Sequence, residues 1–202
     1  MARFRILHGR VAAQLGEEQG SALLEFSLVL PLLVVLVVGI YDFSGAFNQK
    51  QKIEQAAQEG AIVAGAQPTS DIASPTAPDS LLPVVAAVFN SLAGSGVLPN
   101  AGTGTCSPPG AATGPAGLAW TYTISLCPDD LKITINRGCT CGSCLPALAC
   151  ASGPPFPVGS VVTVQYPYHW RFGSAIQLLF PGPNGYLAPT PVTASATVHN
   201  QI

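Results

Sequence analysis

The sequence predicts an α+β fold, in which one long N-terminal helix packs on a small antiparallel β-sheet domain with disulfide-rich loops. Three observations predict it. Residues 22–40 form an apolar run whose only ionisable member is Glu25, and residues 41–66 continue at helical spacing. Four later segments alternate bulky apolar with small polar residues, as half-buried strands do. All six cysteines lie between Cys106 and Cys150, in a stretch rich in proline and glycine.

The composition is that of one ordinary domain with an appendage. The chain has 202 residues, of which only 9 % are charged, against about 25 % in a typical soluble domain. The 19 prolines and 21 glycines indicate a loop-rich body. The net charge of −2, without any basic stripe, gives no reason to expect nucleic-acid binding.

Residues 22–40 are long enough to cross a membrane. A helix of this length, at about 1.5 Å per residue, spans roughly 28 Å, which matches a bilayer core. Pro31 lies inside the run, where membrane helices tolerate proline if neighbouring groups satisfy the freed carbonyl. Three arginines precede the run and Asp42 follows it, so the positive-inside rule places residues 1–20 in the cytoplasm. We therefore expect a single-pass protein of the cell (inner) membrane with an extracytoplasmic C-terminal domain.

Two simpler interpretations of the apolar run remain open. One is a secretory signal peptide cut after the run, for which Ser44-Gly45-Ala46 offers small residues. The run is, however, longer than the usual h-region of about 7–15 residues. The other interpretation is an uncleaved anchor without a further role.

The start of the run has a distinctive pattern. A short polar-rich segment ends in Glu17-Glu18-Gln19, and Gly20-Ser21-Ala22-Leu23-Leu24-Glu25-Phe26 follows. The pattern resembles the class III signal of type IV pilins and pseudopilins. The resemblance implies that a prepilin peptidase cuts after Gly20 and leaves the whole helix on the mature protein. Ser21 would then carry an α-amino group with a pKa of about 7.7–8.0, which is cationic at neutral pH.

Glu25 is the carboxylate inside the run. A charge at the bilayer centre costs about 2.5–3.5 kcal/mol, and a position near the cytoplasmic edge lowers this cost. Contact with lipid headgroups alone would account for it. The resemblance to pilins implies instead that Glu25 pairs with the new N-terminus of an adjacent subunit, so that two charges that are costly in lipid neutralise each other.

Further blocks narrow the resemblance. They are Gly20-Ser21-Ala22-Leu23-Leu24-Glu25-Phe26-Ser27-Leu28-Val29-Leu30-Pro31, Gly39-Ile40-Tyr41-Asp42-Phe43, Ala56-Ala57-Gln58-Glu59-Gly60-Ala61, Val161-Val162-Thr163-Val164-Gln165-Tyr166-Pro167-Tyr168 and Val192-Thr193-Ala194-Ser195-Ala196-Thr197-Val198. Together they resemble the TadE family, the minor pilins or pseudopilins of tight-adherence (Flp-type) pilus systems. The resemblance covers roughly residues 17–66 and 158–202, and the cysteine-rich middle matches nothing.

The resemblance to the TadE family implies a pilin-like fold and a role in pilus assembly, adhesion or secretion. It implies that Gly20 and Ser21 are processing residues and that Glu25, Phe26 and Pro31 are assembly residues. The implied partners are the membrane, a prepilin peptidase and other pilins or pseudopilins of a Tad-type assembly machine. A place in a surface pilus would be compatible with this role.

The helices follow from periodicity. One helix is predicted over residues 22–66, and four of its apolar positions recur at helical spacing toward the domain: Ile53, Ala57, Ala61 and Ala64. A second helix is predicted through about Leu92, capped by Asp79 or Ser80, with Pro83 in its first turn. Residues 174–180 are a candidate for a short third helix.

About four strands are predicted, at residues 118–126, 131–137, 158–166 and 191–199, the first two as a hairpin. Residues 94–117 are predicted to be loop. The chain thus divides into a cytoplasmic leader at residues 1–20, a transmembrane and then amphipathic helix at 21–66, and an exported domain at 67–202. The middle of that domain, residues 94–157, is rich in proline, glycine and cysteine.

The six cysteines are candidates for disulfides: Cys106, Cys127, Cys139, Cys141, Cys144 and Cys150. Disulfides suit an exported, loop-rich domain. Zinc binding is less well supported, because the spacing does not give two separated Cys-x-x-Cys knuckles. The pair Cys141 and Cys144 also resembles a dithiol redox motif, but Pro146 and the flanking loop are a poor setting for one. Six cysteines allow fifteen pairings, and Cys106 and Cys127 pair either with each other or with the cluster.

The sequence contains no motif for catalysis. It has no Gly-x-Ser-x-Gly, His-Glu-x-x-His or phosphate-binding glycine loop. The pair Asp129-Asp130 is interpreted as a turn, and His169 as a packed or solvated residue. We expect no catalytic residue, no cofactor, no metal and no small-molecule substrate.

Four aromatic residues near the predicted third strand are interspersed with Pro167 and polar residues: Tyr166, Tyr168, Trp170 and Phe172. We interpret them as an edge of the core, with an exposed contact patch as the alternative.

Three functions are therefore compared. The first is a processed pseudopilin or minor pilin. The second is a membrane-anchored exported binding or adhesion domain that never enters a filament. The third, an anchored thiol oxidoreductase, depends on Cys141 and Cys144 alone.

Overall fold

The computed structural model describes residues 4–71, 74–99, 101, 106–139, 159–173 and 188–201, with side chains described from Ser21 onward. Helix α1 spans Phe4–Ala66, a short 3₁₀ helix spans Asp79–Leu81, and helix α2 spans Leu82–Gly94. The strands are β1 (Ala111–Ala116), β2 (Ala119–Ile124), β3 (Leu131–Cys139), β4 (Gly159–Tyr168) and β5 (Thr190–His199). They form one antiparallel sheet in the order β1-β2-β3-β4-β5. The predicted α+β fold is confirmed, and the candidate helix at 174–180 lies outside the described residues.

Helix α1 ends where the sequence predicts but begins earlier. It stops at Ala66, because Pro68 disfavours helical geometry at the preceding residue. It begins at Phe4 rather than near residue 22. Residues 4–20 contain no proline and many good helix formers, so nothing in the leader interrupts the helix.

The outer half of α1 packs against both β4 and α2. The four predicted inward positions, Ile53, Ala57, Ala61 and Ala64, are all buried. Gly60 lies among them, and a methyl group there would sit 2.4 Å from Cγ2 of Val88 in α2 and 3.3 Å from Cγ1 of Val162 in β4. Small residues therefore let α1 lie close to the sheet and to α2 at the same time.

One face of the sheet forms the core. Side chains on alternate positions point inward, and they align across the strands as Trp120, Ile135 and Val162. The predicted hairpin is confirmed as β2 and β3, in which Trp120 is opposite Ile135. The opposite face is rich in threonine; Thr121 and Thr134 pair their hydroxyls across it at 3.0 Å.

The prediction of loop throughout residues 94–117 is wrong, because β1 forms a fifth strand at the sheet edge. All six β1 residues are exposed, so they show no apolar alternation. The strand is held by its pairing with β2, which is irregular between Thr113 and Ala116. Pro115 lies in this irregularity, a position typical of proline at a sheet edge.

The predicted cap of the second helix is also wrong. Leu81 occupies the cap position of α2 without a side-chain hydrogen bond, while Pro83 lies in the first turn as predicted. The hydroxyl of Ser80 is used elsewhere: it donates to Asp71 Oδ1 at 2.9 Å and accepts from Arg137 Nη1 at 2.8 Å.

Arg137 connects the end of α1 to the sheet. Its guanidinium is buried, donates to the carbonyl of Gln67 at 2.7 Å, and lies 3.7 Å from Asp71 Oδ1. Burial lowers the pKa of Arg137, and the negative charge of Asp71 opposes that shift. These contacts hold the chain just after the C-terminal end of α1 against strand β3.

A disulfide joins Cys106 to Cys127, one of the pairings that the sequence left open. It connects the segment before β1 to the turn between β2 and β3, where Tyr166 also donates its hydroxyl to the carbonyl of Cys127. Cys139 is disulfide-bonded as well. Cys141, Cys144 and Cys150 lie outside the described residues. Among the residues that are described, no group of three or more His, Cys, Asp or Glu side chains could hold a metal ion.

Candidate functional site

The apolar half of α1 is uncovered. Its most hydrophobic 18-residue window has a mean hydropathy of 2.7, and none of that window is buried. Large apolar side chains point outward all around this part of the helix, among them Leu23, Phe26, Leu28, Leu32 and Ile40. A surface of this extent requires lipid or other helices to cover it. Its length and composition suit a membrane-spanning segment.

The predicted processing and assembly residues lie on this uncovered half. Ser21, Glu25, Phe26 and Pro31 are exposed, and Gly20 precedes them in the same helix. Ser21 and Glu25 are four residues apart and therefore share a helix face. Within the described part of the chain, Glu25 makes no hydrogen bond or ion pair. The fold therefore leaves these side chains free for a partner but does not bring them to the globular domain.

Proline at position 31 removes one backbone donor from the helix. In a regular helix the N–H of residue 31 would bind the carbonyl of Ser27, so that carbonyl loses its partner. The Ser27 hydroxyl donates to the carbonyl of Leu24 at 2.7 Å. The helix nevertheless continues across Pro31, as predicted.

Asp42, which directly follows the apolar half of α1, attaches this point of the helix to the globular domain. Its carboxylate is buried and accepts the backbone N–H of Arg171 at 3.3 Å and that of Phe172 at 3.2 Å. Tyr168 donates its hydroxyl to the Asp42 carbonyl at 3.1 Å. The segment after β4 is thereby fixed to the helix exit.

Aromatic contacts extend this attachment. The rings of Tyr41 and Phe172 meet edge to face with centroids 5.7 Å apart, and those of Phe43 and Trp170 do so at 5.8 Å. Arg171 donates to the hydroxyl of Tyr41 at 3.3 Å, and its guanidinium carbon lies 5.9 Å from that ring's centroid. We call residues 41–43 together with 168–172 the exit collar.

The four aromatic residues near the end of β4 divide between the two predicted interpretations. Tyr166, which precedes the collar, and Tyr168 are buried and form a core edge, whereas Trp170 is half-buried and Phe172 is exposed. Burial, with a contribution from Asp42, raises the pKa of Tyr168, so its hydroxyl stays a donor. Gly45 makes room for it: a methyl group there would lie 2.5 Å from the Tyr168 hydroxyl oxygen.

His169 is solvated, as predicted, but has one partner. Its Nε2 lies 2.6 Å from Oδ2 of Asp129, in the turn between β2 and β3. This contact joins the collar segment to the tip of the β2–β3 hairpin.

Asp42 is the residue that sequence reasoning missed. The sequence marks it only as the first charge after the apolar run and as part of the Gly39–Phe43 block. Its partners are 129 and 130 residues away, so no local pattern identifies them. A carboxylate directly after an apolar run is the signal that was available.

A family model described as TadE-like protein matches residues 20–61. The resemblance to the TadE-like family is confirmed for this segment. The matched segment contains the uncovered apolar half of α1, Asp42, and the small residues that pack on the sheet up to Ala61. No curated protein and no solved structure matches the chain.

The TadE-like match associates the chain with Tad pilus systems and with the membrane. The family is a structural and assembly family rather than an enzymatic one.

Proposed function

We propose that the chain is a pseudopilin or minor pilin of a Tad-type (Flp-type) pilus system, processed by a prepilin peptidase and contributing to pilus biogenesis, adhesion or secretion. One observation carries the proposal: the TadE-like segment is a single helix with two surfaces. The outer half of this helix packs into the core of the globular domain, and its apolar half is uncovered. Such a helix needs a partner outside its own chain.

The apolar half of α1 is covered first by lipid and later by other helices. In the membrane, lipid chains cover it, with the N-terminus in the cytoplasm and the globular domain outside. In an assembled bundle, the equivalent helices of neighbouring pilins replace the lipid. Helix association in lipid depends on packing and on polar pairs rather than on the hydrophobic effect, so Glu25 is well suited to specify the register.

Processing supplies the partner of Glu25. A cut after Gly20 creates a cationic amino group on Ser21, about 6 Å along the axis from Glu25. Within one helix both groups share a face, and in a staggered bundle the amino group of one subunit reaches the carboxylate of the next. The lack of a described partner for Glu25 supports this role.

A secretory cut after Ala46 fits the contacts poorly. It would remove Asp42 and release the backbone N–H groups of Arg171 and Phe172, and it would expose Tyr168. The contacts at the collar therefore favour retention of the whole helix.

The function is tested by complementation of cells that lack this chain, with pili counted by electron microscopy. The wild-type chain should restore pili, and E25Q should restore few or none. E54Q is the matched control, because Glu54 is an exposed carboxylate on the outer half of the same helix, where it pairs with Lys50 at 3.7 Å. Full restoration by E25Q, or normal pili without the chain, would contradict the proposal.

A further inference from the structure

The exit collar lies at a defined depth relative to the apolar helix. From Ser21 to Ile40 the helix rises about 30 Å, the thickness of a bilayer core. If residues 21–40 span the membrane, Tyr41 falls at the exported membrane–water interface. The collar then begins where the headgroups are.

Asp42 brings a second segment to the same depth. Its two backbone hydrogen bonds hold Arg171 and Phe172 beside Tyr41, and the ring contacts hold Trp170 beside Phe43. The globular domain therefore places aromatic and cationic side chains on the membrane side of its own fold.

The exposed side chains of the collar have the chemistry of a membrane interface. The exposed fractions are 54 % for Tyr41, 62 % for Phe43 and 37 % for Phe172, which is high for large rings in a water-facing surface. Trp170 is half-buried and donates its indole N–H to Thr190 at 2.9 Å. Arg171 is exposed. Rings with a polar edge, next to a cation, concentrate at the headgroup level of membrane proteins.

We propose that the exit collar docks the globular domain on the exported face of the membrane, with Tyr41 and Trp170 at the level of the phospholipid headgroups, Phe43 and Phe172 against the adjoining ends of the acyl chains, and Arg171 binding the headgroup phosphates. The proposal rests on the membrane anchoring of the proposed function but not on processing or filament entry. Docking fixes the orientation of the sheet relative to the bilayer before assembly. The collar and the apolar helix form one continuous lipid-facing surface.

The test uses the full chain reconstituted in vesicles of phosphatidylcholine and phosphatidylglycerol, with lipids brominated near the top of the acyl chains as fluorescence quenchers. The chain has two tryptophans, and Trp120 is buried in the core. The difference between the wild type and W170F therefore reports Trp170 without any change in the core. Flotation with the vesicles is measured first.

We expect the brominated lipids to quench wild-type emission and the quenching to be lost in W170F. The wild type should show more quenching when phosphatidylglycerol is present, and R171Q should lose that increase. All of these effects should be independent of the ratio of protein to lipid, since a lipid contact does not need a second chain.

Equal quenching of the wild type and W170F in floated vesicles would overturn the docking proposal and leave the anchor intact. Quenching of Trp170 that appears only at high ratios of protein to lipid would also overturn it, because the lipid contact would then need a second copy of the chain. An unchanged phosphatidylglycerol dependence in R171Q would overturn the role of Arg171. A chain that does not float would contradict the proposed function itself.

Discussion

The carboxylate of Asp42 accepts the backbone N–H of Phe172 at 3.2 Å, although the two residues are 130 positions apart in the chain. Asp42 is the first charged residue after the apolar half of α1, and Phe172 lies just after β4, one of the two strands that α1 packs against. This contact ties the anchor to the globular domain at the point where they meet. Further along α1, from Ile53 to Ala64, the buried side chains that face the domain are apolar.

Replacement of Asp42 by asparagine should loosen the collar. The amide has one acceptor oxygen and presents an NH₂ group to a backbone N–H, so one charge-assisted bond is lost, at a cost of about 1.5–3 kcal/mol. The direct readout is limited trypsin digestion in detergent micelles, since the bond after Arg171 lies between the two N–H groups that Asp42 holds. We expect faster cleavage after Arg171 in D42N.

The matched control is D130N, which removes an exposed carboxylate from the turn before β3. It should leave cleavage after Arg171 unchanged. Equal cleavage rates in D42N and the wild type would show that the Asp42 carboxylate does not hold the segment after β4.

Substitutions at Gly60 should destabilise the chain in order of size. Any Cβ there must displace Val88, whose branched side chain is stiff and fully buried. Overpacking of this kind costs about 1–3 kcal/mol, which exceeds the gain of about 1 kcal/mol from replacing a helical glycine. Thermal unfolding of the full chain in micelles should therefore occur at a lower temperature in G60A and at a still lower one in G60V.

Gly39 provides the control for Gly60, because it lies in the same helix with open space around it. G39A should keep the melting temperature or raise it slightly. A G60V variant as stable as G39A would contradict the packing of α1 between α2 and β4.

Much of the fold could be predicted because it depends on local patterns. Pro68 marks the end of α1, and the spacing of Ile53, Ala57 and Ala61 marks its buried face. Apolar and polar residues alternate clearly in two segments, Trp120–Ile124 and Leu131–Ile135, so the sequence predicts their hairpin. In each of these cases the spacing of residues along the chain directly indicates where the element ends or which of its faces is buried.

The features that escaped prediction depend on distant partners. Strand β1 has no apolar alternation, since hydrogen bonding to β2 rather than burial of side chains holds it at the edge. Ser80 does not cap α2, because Arg137, 57 residues later, engages its hydroxyl. Asp42 acquires its role from the chain after β4. Because these partners lie far away in the chain, no local sequence pattern identifies them.

Removal of Arg137 should destabilise the junction between α1 and the sheet. R137M leaves the Gln67 carbonyl without its donor and the Asp71 carboxylate without its neighbouring cation, and unfolding should become easier by about 3 kcal/mol. In a double-mutant cycle, D71N should cost less in the R137M background than in the wild type, since the two side chains interact. Chemical denaturation of the full chain measures both.

The control for Arg137 is K132M, which removes an exposed cation from the same strand. It should change stability little, because exposed charges contribute about 0–1 kcal/mol. Additive effects of R137M and D71N would contradict an interaction between Arg137 and Asp71.

The mature N-terminus is the most direct test of the central claim, that a prepilin peptidase processes this chain and leaves the apolar helix in place. Intact mass and N-terminal sequencing of the membrane-extracted protein should give a chain that begins at Ser21, and a G20L variant should keep its leader. A wild-type chain that begins at Met1 or at Phe47 would contradict the claim.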